Sequence, residues 1–317
     1  MAKPTVIVTV RLPEPVKAYA ETLFDVRYDT TDVLRAGPAE IGDAQGILTS
    51  SIERYDAGKI AALPDCVQVI STFSAGFEHI DIPAAHARGI AVCNTPDVLS
   101  ISTAEIGMQL ILMAARRAGE GERLLRAGLW KGWQPDLLIG VQLHARRLGI
   151  FGMGSIGRHL ARMARGFGME IHYRNRSRLD ASLEHGAIWH DNDDSFLGAC
   201  DVLSLNAPGG AGTRHWLNAA RIARLPAGVI VVNTARGSLI DDTALIAALK
   251  SRHVRYAGLD VFDGEPDFNR LYLELDNAVL LPHMGSSTVE AREAMGRLAV
   301  DGIAAVLAGK RPGNLVG

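Results

Sequence analysis

Apolar residues in the first hundred positions come in short unbroken runs separated by amphipathic or turn-forming stretches. The first, Thr5–Val10 (TVIVTV), is continuous and β-branched, the mark of a strand buried on both faces. Pro13-Glu14-Pro15 then opens a helix to about Leu23, because proline fits the first helical turn. Asp25–Tyr28, Gly46–Thr49, Val67–Thr72 and Ile90–Cys93 read as further strands, with a helix near Tyr55–Ala62. Strands alternating with helices predict a parallel α/β sheet. The turn Asn94-Thr95-Pro96 ends this series.

From Ile101 to about Ala118 the spacing predicts a long helix that is apolar almost all round. Such a helix must be buried, in a core or at a subunit interface; a dimer interface is the reading favoured here. Residues 119–140, rich in glycine, arginine and tryptophan, read as an extended arm. A second α/β series follows, with strands at Leu148–Phe151, Glu170–Tyr173, Val202–Leu205, Val229–Val232, Tyr256–Leu259 and Ala278–Leu281. About six parallel strands make a complete dinucleotide-binding sheet. Val289–Leu307 reads as one long helix.

A chain of 317 residues exceeds what one core usually supports, which makes two domains the expectation. Apolar residues at 48% and charged residues at 21% describe an ordinary globular protein. A net charge of −2 gives no electrostatic reason to expect nucleic acid or an acidic membrane as partner. Cys66, Cys93 and Cys200 lie far apart and form no paired framework, which fits reduced thiols and a cytoplasmic protein. No signal-peptide pattern precedes Thr5, and no apolar stretch reaches membrane-spanning length.

The sharpest motif is Gly152-Met153-Gly154-Ser155-Ile156-Gly157, a G-x-G-x-x-G turn between a strand and a helical stretch, Arg158–Phe167. Gly152 suits a tight turn, Gly154 lets backbone approach a pyrophosphate, and Gly157 permits close helix–strand packing. About 20 residues on, an NAD site wants a carboxylate for the ribose 2′-hydroxyl. The chain instead has Arg174-Asn175-Arg176-Ser177-Arg178, whose cations suit a 2′-phosphate. NADP, as NADPH in preference to NADH, is the expected cofactor; a solvated basic loop is the alternative.

Three more strand ends carry chemistry: Asn233–Gly237 with Arg236, Asp260–Pro266 with Glu265, and Leu281–Thr288 with His283. Reducing a 2-keto acid needs those parts: a planar cation for the carboxylate, a proton donor for the carbonyl oxygen, and an anion that keeps the donor protonated. Taken singly, Arg236 also fits a surface arginine, Glu265 a turn residue and His283 a core histidine. Their joint occurrence after a dinucleotide motif favours catalysis. His185, His190, Asp191, Asp193 and Asp194 cluster in what reads as a solvated loop without metal-ligand spacing.

These motifs, with Phe73-Ser74-Ala75-Gly76-Phe77-Glu78-His79-Ile80-Asp81, Asn94–Leu99 and Thr103-Ala104-Glu105, closely resemble the D-isomer-specific 2-hydroxyacid dehydrogenases, and among them the glyoxylate/hydroxypyruvate reductases, over nearly the whole chain. The resemblance implies two Rossmann-like parallel-sheet domains, the cofactor domain inserted into a flavodoxin-like substrate domain. Residues 1–98 plus 284–317 would form the substrate domain and 99–283 the dinucleotide-binding domain. It implies a homodimer built by the long helix and the arm. It assigns catalysis to Arg236, Glu265 and His283, and substrate contact to Ser50, Ser51, Phe73, Ser74, Ala75, Gly76 and Arg236. Along the cofactor it places Thr103, Gly152, Met153, Gly154, Ser155, Ile156, Gly157, Asn175, Arg176, Ser177, Ala207, Pro208, Thr213, Thr234, Ala235, Asp260, His283 and Gly285.

The implied reaction is reduction of glyoxylate or hydroxypyruvate by NADPH, with no metal. A bulkier 2-keto acid such as phenylpyruvate is the alternative substrate, and a dinucleotide-sensing corepressor the alternative of another class. Ser74 stands where the family commonly has glycine, which leaves substrate preference open. The partner-reaching tryptophan of some relatives is not carried over to Trp130 or Trp133, because Asp136-Leu137-Leu138 follows them.

Overall fold

The computed structural model describes residues 2–28 and 41–317, which fall into two compact units. One comprises Met1–Leu99 with Ser287–Gly317, the other Ser100–Ser286.

In the first unit, five parallel strands, β1 (Thr5–Val8), β2 (Asp25–Tyr28), β3 (Gly46–Thr49), β4 (Val69–Thr72) and β5 (Ala91–Cys93), lie in the order β2-β1-β3-β4-β5. This is the flavodoxin-like order, with its switch point between β1 and β3. The strand expected over Thr5–Val10 stops at Val8, because Thr9 turns its hydroxyl onto the buried Glu53 carboxylate at 2.9 Å. The helix expected near Tyr55–Ala62 is shorter, Ala57–Ala61, because Asp56 caps it by accepting the Lys59 N–H. The C-terminal helix Val289–Leu307 packs on β3, β4 and β5 through residues such as Met295, Ala299, Val300 and Ile303.

The second unit holds seven parallel strands: β6 (Arg147–Phe151), β7 (Glu170–Arg174), β8 (Ile188–Trp189), β9 (Val202–Leu205), β10 (Val229–Asn233), β11 (Val254–Leu259) and β12 (Ala278–Leu280). Their order is β12-β11-β10-β9-β6-β7-β8, the doubly wound arrangement with one strand more than the sequence pattern shows. The missed strand, β8, is two residues long at the sheet edge, too short to carry a period.

Two expectations need correction. The long helix runs Ser100–Ala115 and ends at Arg117, which is left-handed (φ 54°) and pairs with Glu120. Its apolar girth is used inside the unit: Ala104, Leu110, Ile111 and Ala114 are buried as it packs on helix Ser155–Gly166 and on β10, β11 and β12. The stretch 119–140 is not extended throughout, since Ala118–Arg126 is an amphipathic helix with no buried residue. Its two glycines hid a pattern that the Arg126–Glu122 pair supports.

No helix among the described residues is long and apolar enough to cross a membrane, and no His, Cys, Asp and Glu cluster there could hold a metal ion. The three cysteines are free thiols.

Candidate active site

The glycine turn leaves β6 at the switch point between β6 and β9. Gly152 has φ 97°, and a Cβ there would lie 2.5 Å from the Ala207 nitrogen. A Cβ on Gly157 would meet the Gly152 oxygen at 2.6 Å. A Cβ on Gly154 would meet nothing within 4 Å, so no protein packing demands glycine at that position. Gly154 also begins helix Ser155–Gly166 with no side chain capping it, which leaves the first N–H groups directed outward. An open cradle at a helix N-terminus fits a dinucleotide pyrophosphate.

Around this turn, Asn175 Oδ1 accepts the Met153 N–H at 2.7 Å, and Arg174 O accepts the Gly152 N–H at 3.0 Å. Arg174 and Arg178 do not project freely. Arg174 pairs with Asp193 at 3.3 Å, and Arg178 forks onto Glu184 at 2.8 and 2.9 Å. Arg176 and Ser177 are exposed, and their side chains have no hydrogen bond or ion pair among the described residues. The reading of a solvated loop holds for His185, Asp191 and Asp194, which are exposed, and is corrected for Asp193 and His190. Asp193 bridges Arg174 and Arg221, while His190 Nε2 lies 2.9 Å from Nδ1 of the buried His172.

Ala207 is buried after β9; Thr213 closes the exposed Pro208 loop by donating its hydroxyl to Pro208 O at 2.8 Å. Thr234 and Ala235 are buried after β10, and Thr103 lies close to Asp260 and Gly285, since a Cβ on Gly285 would meet both within 3.3 Å.

The three catalytic candidates stand beyond the ends of neighbouring strands. Asn233, fully buried at the end of β10, shapes the first loop: its Oδ1 accepts the Ala235 N–H at 3.0 Å and its Nδ2 donates to Arg236 O at 2.8 Å. Gly237 is required next, as a Cβ would lie 1.8 Å from the Phe262 carbonyl carbon. Asp260, after β11, shapes the others. Its carbonyl accepts the His283 N–H at 2.8 Å, and its carboxylate accepts the Met284 and Gly285 N–H groups at 2.7 and 2.8 Å. Burial raises the Asp260 carboxyl pKa more than these two N–H groups and the His283 charge lower it.

His283 is held at φ 54°, and its Nδ1 lies 2.7 Å from Glu265 Oε2. The other Glu265 oxygen accepts the Phe262 N–H at 2.7 Å. Burial alone would raise the Glu265 pKa, but the hydrogen bonds from His283 and Phe262, with the charges of His283 and Arg236, hold it below the usual carboxylate range. Glu265 is therefore an anion near neutral pH. His283 Nε2 has no protein hydrogen bond among the described residues.

In the other unit, Phe73–Gly76 follows β4. Thr95 N–H and Asn94 Nδ2 donate to the Ser74 and Ala75 carbonyls at 2.9 and 2.7 Å, and Ser74 Oγ donates to Gly76 O at 2.6 Å. With those carbonyls engaged, the N–H groups of Ser74, Ala75 and Gly76 have no protein acceptor among the described residues, a ready anion nest. Ser74 is thus a strut of its own loop. Ser50 is buried and Ser51 exposed just after β3, where Ser50 O accepts the Glu53 N–H at 3.2 Å.

Comparison with known proteins fits this geometry. Residues 108–285 match the model of the D-isomer specific 2-hydroxyacid dehydrogenase NAD binding domain. The chain belongs to the D-isomer specific 2-hydroxyacid dehydrogenase family. It is 43% identical over 314 residues to glycerate dehydrogenase of Hyphomicrobium methylovorum, covering 98% of each chain. Among solved structures, a D-isomer specific 2-hydroxyacid dehydrogenase from Polaromonas sp. JS6 66 is 44% identical, with TM-score 0.94 over 99% of this chain and 100% of that one. An NADPH-dependent glyoxylate/hydroxypyruvate reductase from Sinorhizobium meliloti, in complex with NADP and malonate, is 30% identical, with TM-score 0.90 over 100% and 97%. The protein is an NAD(P)-dependent oxidoreductase of this family, glyoxylate/hydroxypyruvate reductase-like.

The sequence shows Asn233 and Asp193 but not their roles, which are to support the candidates without standing among them. Asn233 directly precedes the Thr234–Gly237 motif, a signal that a strand-end amide shapes the turn after it. Asp193 has no such signal, since its partners Arg174 and Arg221 are distant in sequence.

Proposed function

We propose that this dehydrogenase reduces a small 2-keto acid of the glyoxylate or hydroxypyruvate class with NADPH. The observation that carries the reading is the His283–Glu265 pair, with Nδ1 and Oε2 2.7 Å apart and Nε2 left for substrate. The bound nicotinamide would supply the hydride. Arg236 would hold the substrate carboxylate and polarise the keto group. His283 would donate the Nε2 proton to the oxygen as it gains negative charge, and ionised Glu265 would stabilise the imidazolium. These charges favour the transition state over the ground state, since the substrate oxygen becomes anionic only along the reaction.

The phosphorylated cofactor is supported by Arg176 and Ser177, exposed beside the glycine turn where a ribose-binding carboxylate would stand. The named activities of the Hyphomicrobium and Sinorhizobium relatives share one substrate class, since glycerate is the 2-hydroxy acid of hydroxypyruvate. The substrate domain in this reading is residues 1–98 plus 284–317. We also propose a cytoplasmic homodimer. Leu125, Leu129, Trp130, Trp133 and Ile139 are exposed along one segment, with Trp133 at 79%. A Trp133→Asp variant should then sediment at the monomer mass.

Initial rates with glyoxylate, hydroxypyruvate and phenylpyruvate, each with NADPH and NADH, test the reading. Hydroxypyruvate or glyoxylate with NADPH should be fastest. Phenylpyruvate leading would overturn the substrate class, and NADH leading would overturn the cofactor.

A further inference from the structure

The segment that would read the cofactor's 2′-phosphate is a tip, Arg176-Ser177, between two arginines that each belong to a carboxylate. On one side Arg178 is forked onto Glu184, whose Oε1 also accepts the Tyr173 hydroxyl hydrogen at 2.5 Å. On the other side Arg174 is held by Asp193. Asp193 does more than neutralise it. Its second oxygen accepts Arg221 Nε at 2.8 Å, and Arg221 lies over the Trp216 ring, 5.2 Å from its centroid, while donating to Trp216 O at 3.0 Å. Trp216 in turn stacks on Phe151, with centroids 3.7 Å apart and planes within 11°.

Phe151 is the residue before Gly152, so the chain of contacts closes on itself. From Phe151 it runs through Trp216, Arg221 and Asp193 to Arg174, whose backbone oxygen accepts the Gly152 N–H and whose guanidinium donates to Asn175 O. The Asn175 side chain then holds the Met153 N–H. Asp193 is the residue in this ring that joins the β9–β10 connection, through Arg221, to the end of β7, through Arg174. Its side chain and those of both arginines are only 22–30% exposed, so these bonds are screened less than surface pairs.

We propose that Asp193 is a positioning residue for the cofactor's 2′-phosphate. It fixes Arg174 and thereby the start of the tip, and it engages the Arg174 guanidinium so that, of the three arginines of this segment, Arg176 is the one without a carboxylate partner among the described residues. This rests on the reading of Arg176 and Ser177 as the phosphate contacts. Asp193 touches no reacting atom in this scheme, so its loss acts on NADPH affinity and not on the chemical step.

The test is Kd for NADPH and NADH, by nicotinamide fluorescence, for Asp193→Ala, Asp193→Asn, Asp193→Glu, Arg176→Ala and the Asp193→Ala/Arg176→Ala double variant. Asp193→Ala should weaken NADPH by about tenfold and NADH by less than about twofold, with keto-acid KM and kcat at saturating NADPH held. Asp193→Glu should recover most of the loss. In the Arg176→Ala background, adding Asp193→Ala should cost little more, because both changes remove the same contact. Should Asp193→Ala not fold, Asp193→Asn, which keeps one acceptor, makes the same comparison. Equal losses for the two cofactors, or fully additive losses in the double variant, would overturn the proposal. If Arg176→Ala weakens NADPH and neither Asp193→Ala nor Asp193→Asn does, the cofactor reading stands and Asp193 is not its positioning residue. If Arg176→Ala leaves NADPH binding unchanged, the cofactor reading fails, and this proposal with it.

Discussion

Glu265 binds His283 with one carboxylate oxygen and the backbone of its own loop with the other: Oε2 lies 2.7 Å from the imidazole Nδ1, and Oε1 2.7 Å from the Phe262 nitrogen. The carboxylate is therefore oriented before it orients the histidine. With Nδ1 committed, the ring's other nitrogen is the one available to a substrate.

His283→Asn should lower kcat for keto-acid reduction by about 10²–10⁴-fold while NADPH binding changes little. Asparagine is preferred to alanine because the position has φ 54°, which asparagine tolerates. Stopped-flow turnover with a separate cofactor titration checks it; near-normal turnover would remove His283 from the chemistry.

Glu265→Gln should cost roughly 10²-fold or more in kcat, because an amide cannot stabilise an imidazolium and permits the wrong tautomer. Steady-state turnover beside a separate cofactor titration checks it; near-normal kcat would show that Glu265 only shapes the loop.

Gly154→Ala and Gly157→Ala should part company. A Cβ on Gly154 meets nothing within 4 Å and the residue has φ −80°, so the variant should keep its Tm. Its NADPH Kd should rise at least about tenfold as the methyl obstructs the pyrophosphate. Gly157→Ala would press on the Gly152 oxygen at 2.6 Å and should lower Tm as well. Thermal denaturation beside cofactor titration separates the two; normal NADPH binding by Gly154→Ala would argue against the cradle.

Glu184 should contribute pH-dependent stability. Hydrogen bonds from Arg178, then from Tyr173, hold its carboxyl down to about 2, against roughly 4.3 in an unfolded chain. Its contribution is thus full above the unfolded value and is lost as pH falls through the folded one. Compared with wild type, Glu184→Gln should be less stable at pH 7, and the gap should close between about pH 4 and pH 2. Urea melts across that range check it; a gap independent of pH would assign the effect to packing.

Much of this protein is legible along the chain, because the signals are local. Short runs, most of them apolar, located all five strands of one sheet and six of the other, since a strand buried on both faces must be apolar throughout; the edge strand Asp25–Tyr28, not buried on either face, is the exception. The glycine turn and the strand-end residues Arg236, Glu265 and His283 were equally visible, because turns and strand ends are written in a few adjacent residues. Tertiary structure decided the rest, where the deciding partner is remote in sequence. It took Arg174 and Arg178 out of the candidate phosphate site by pairing them with Asp193 and Glu184. It turned the Ala104–Ala115 face into the unit's own core, and it made Ser74 a strut by engaging its hydroxyl with Gly76. A side chain's type is local, but whether its charge or hydrogen bond is already spent depends on residues that only folding brings beside it.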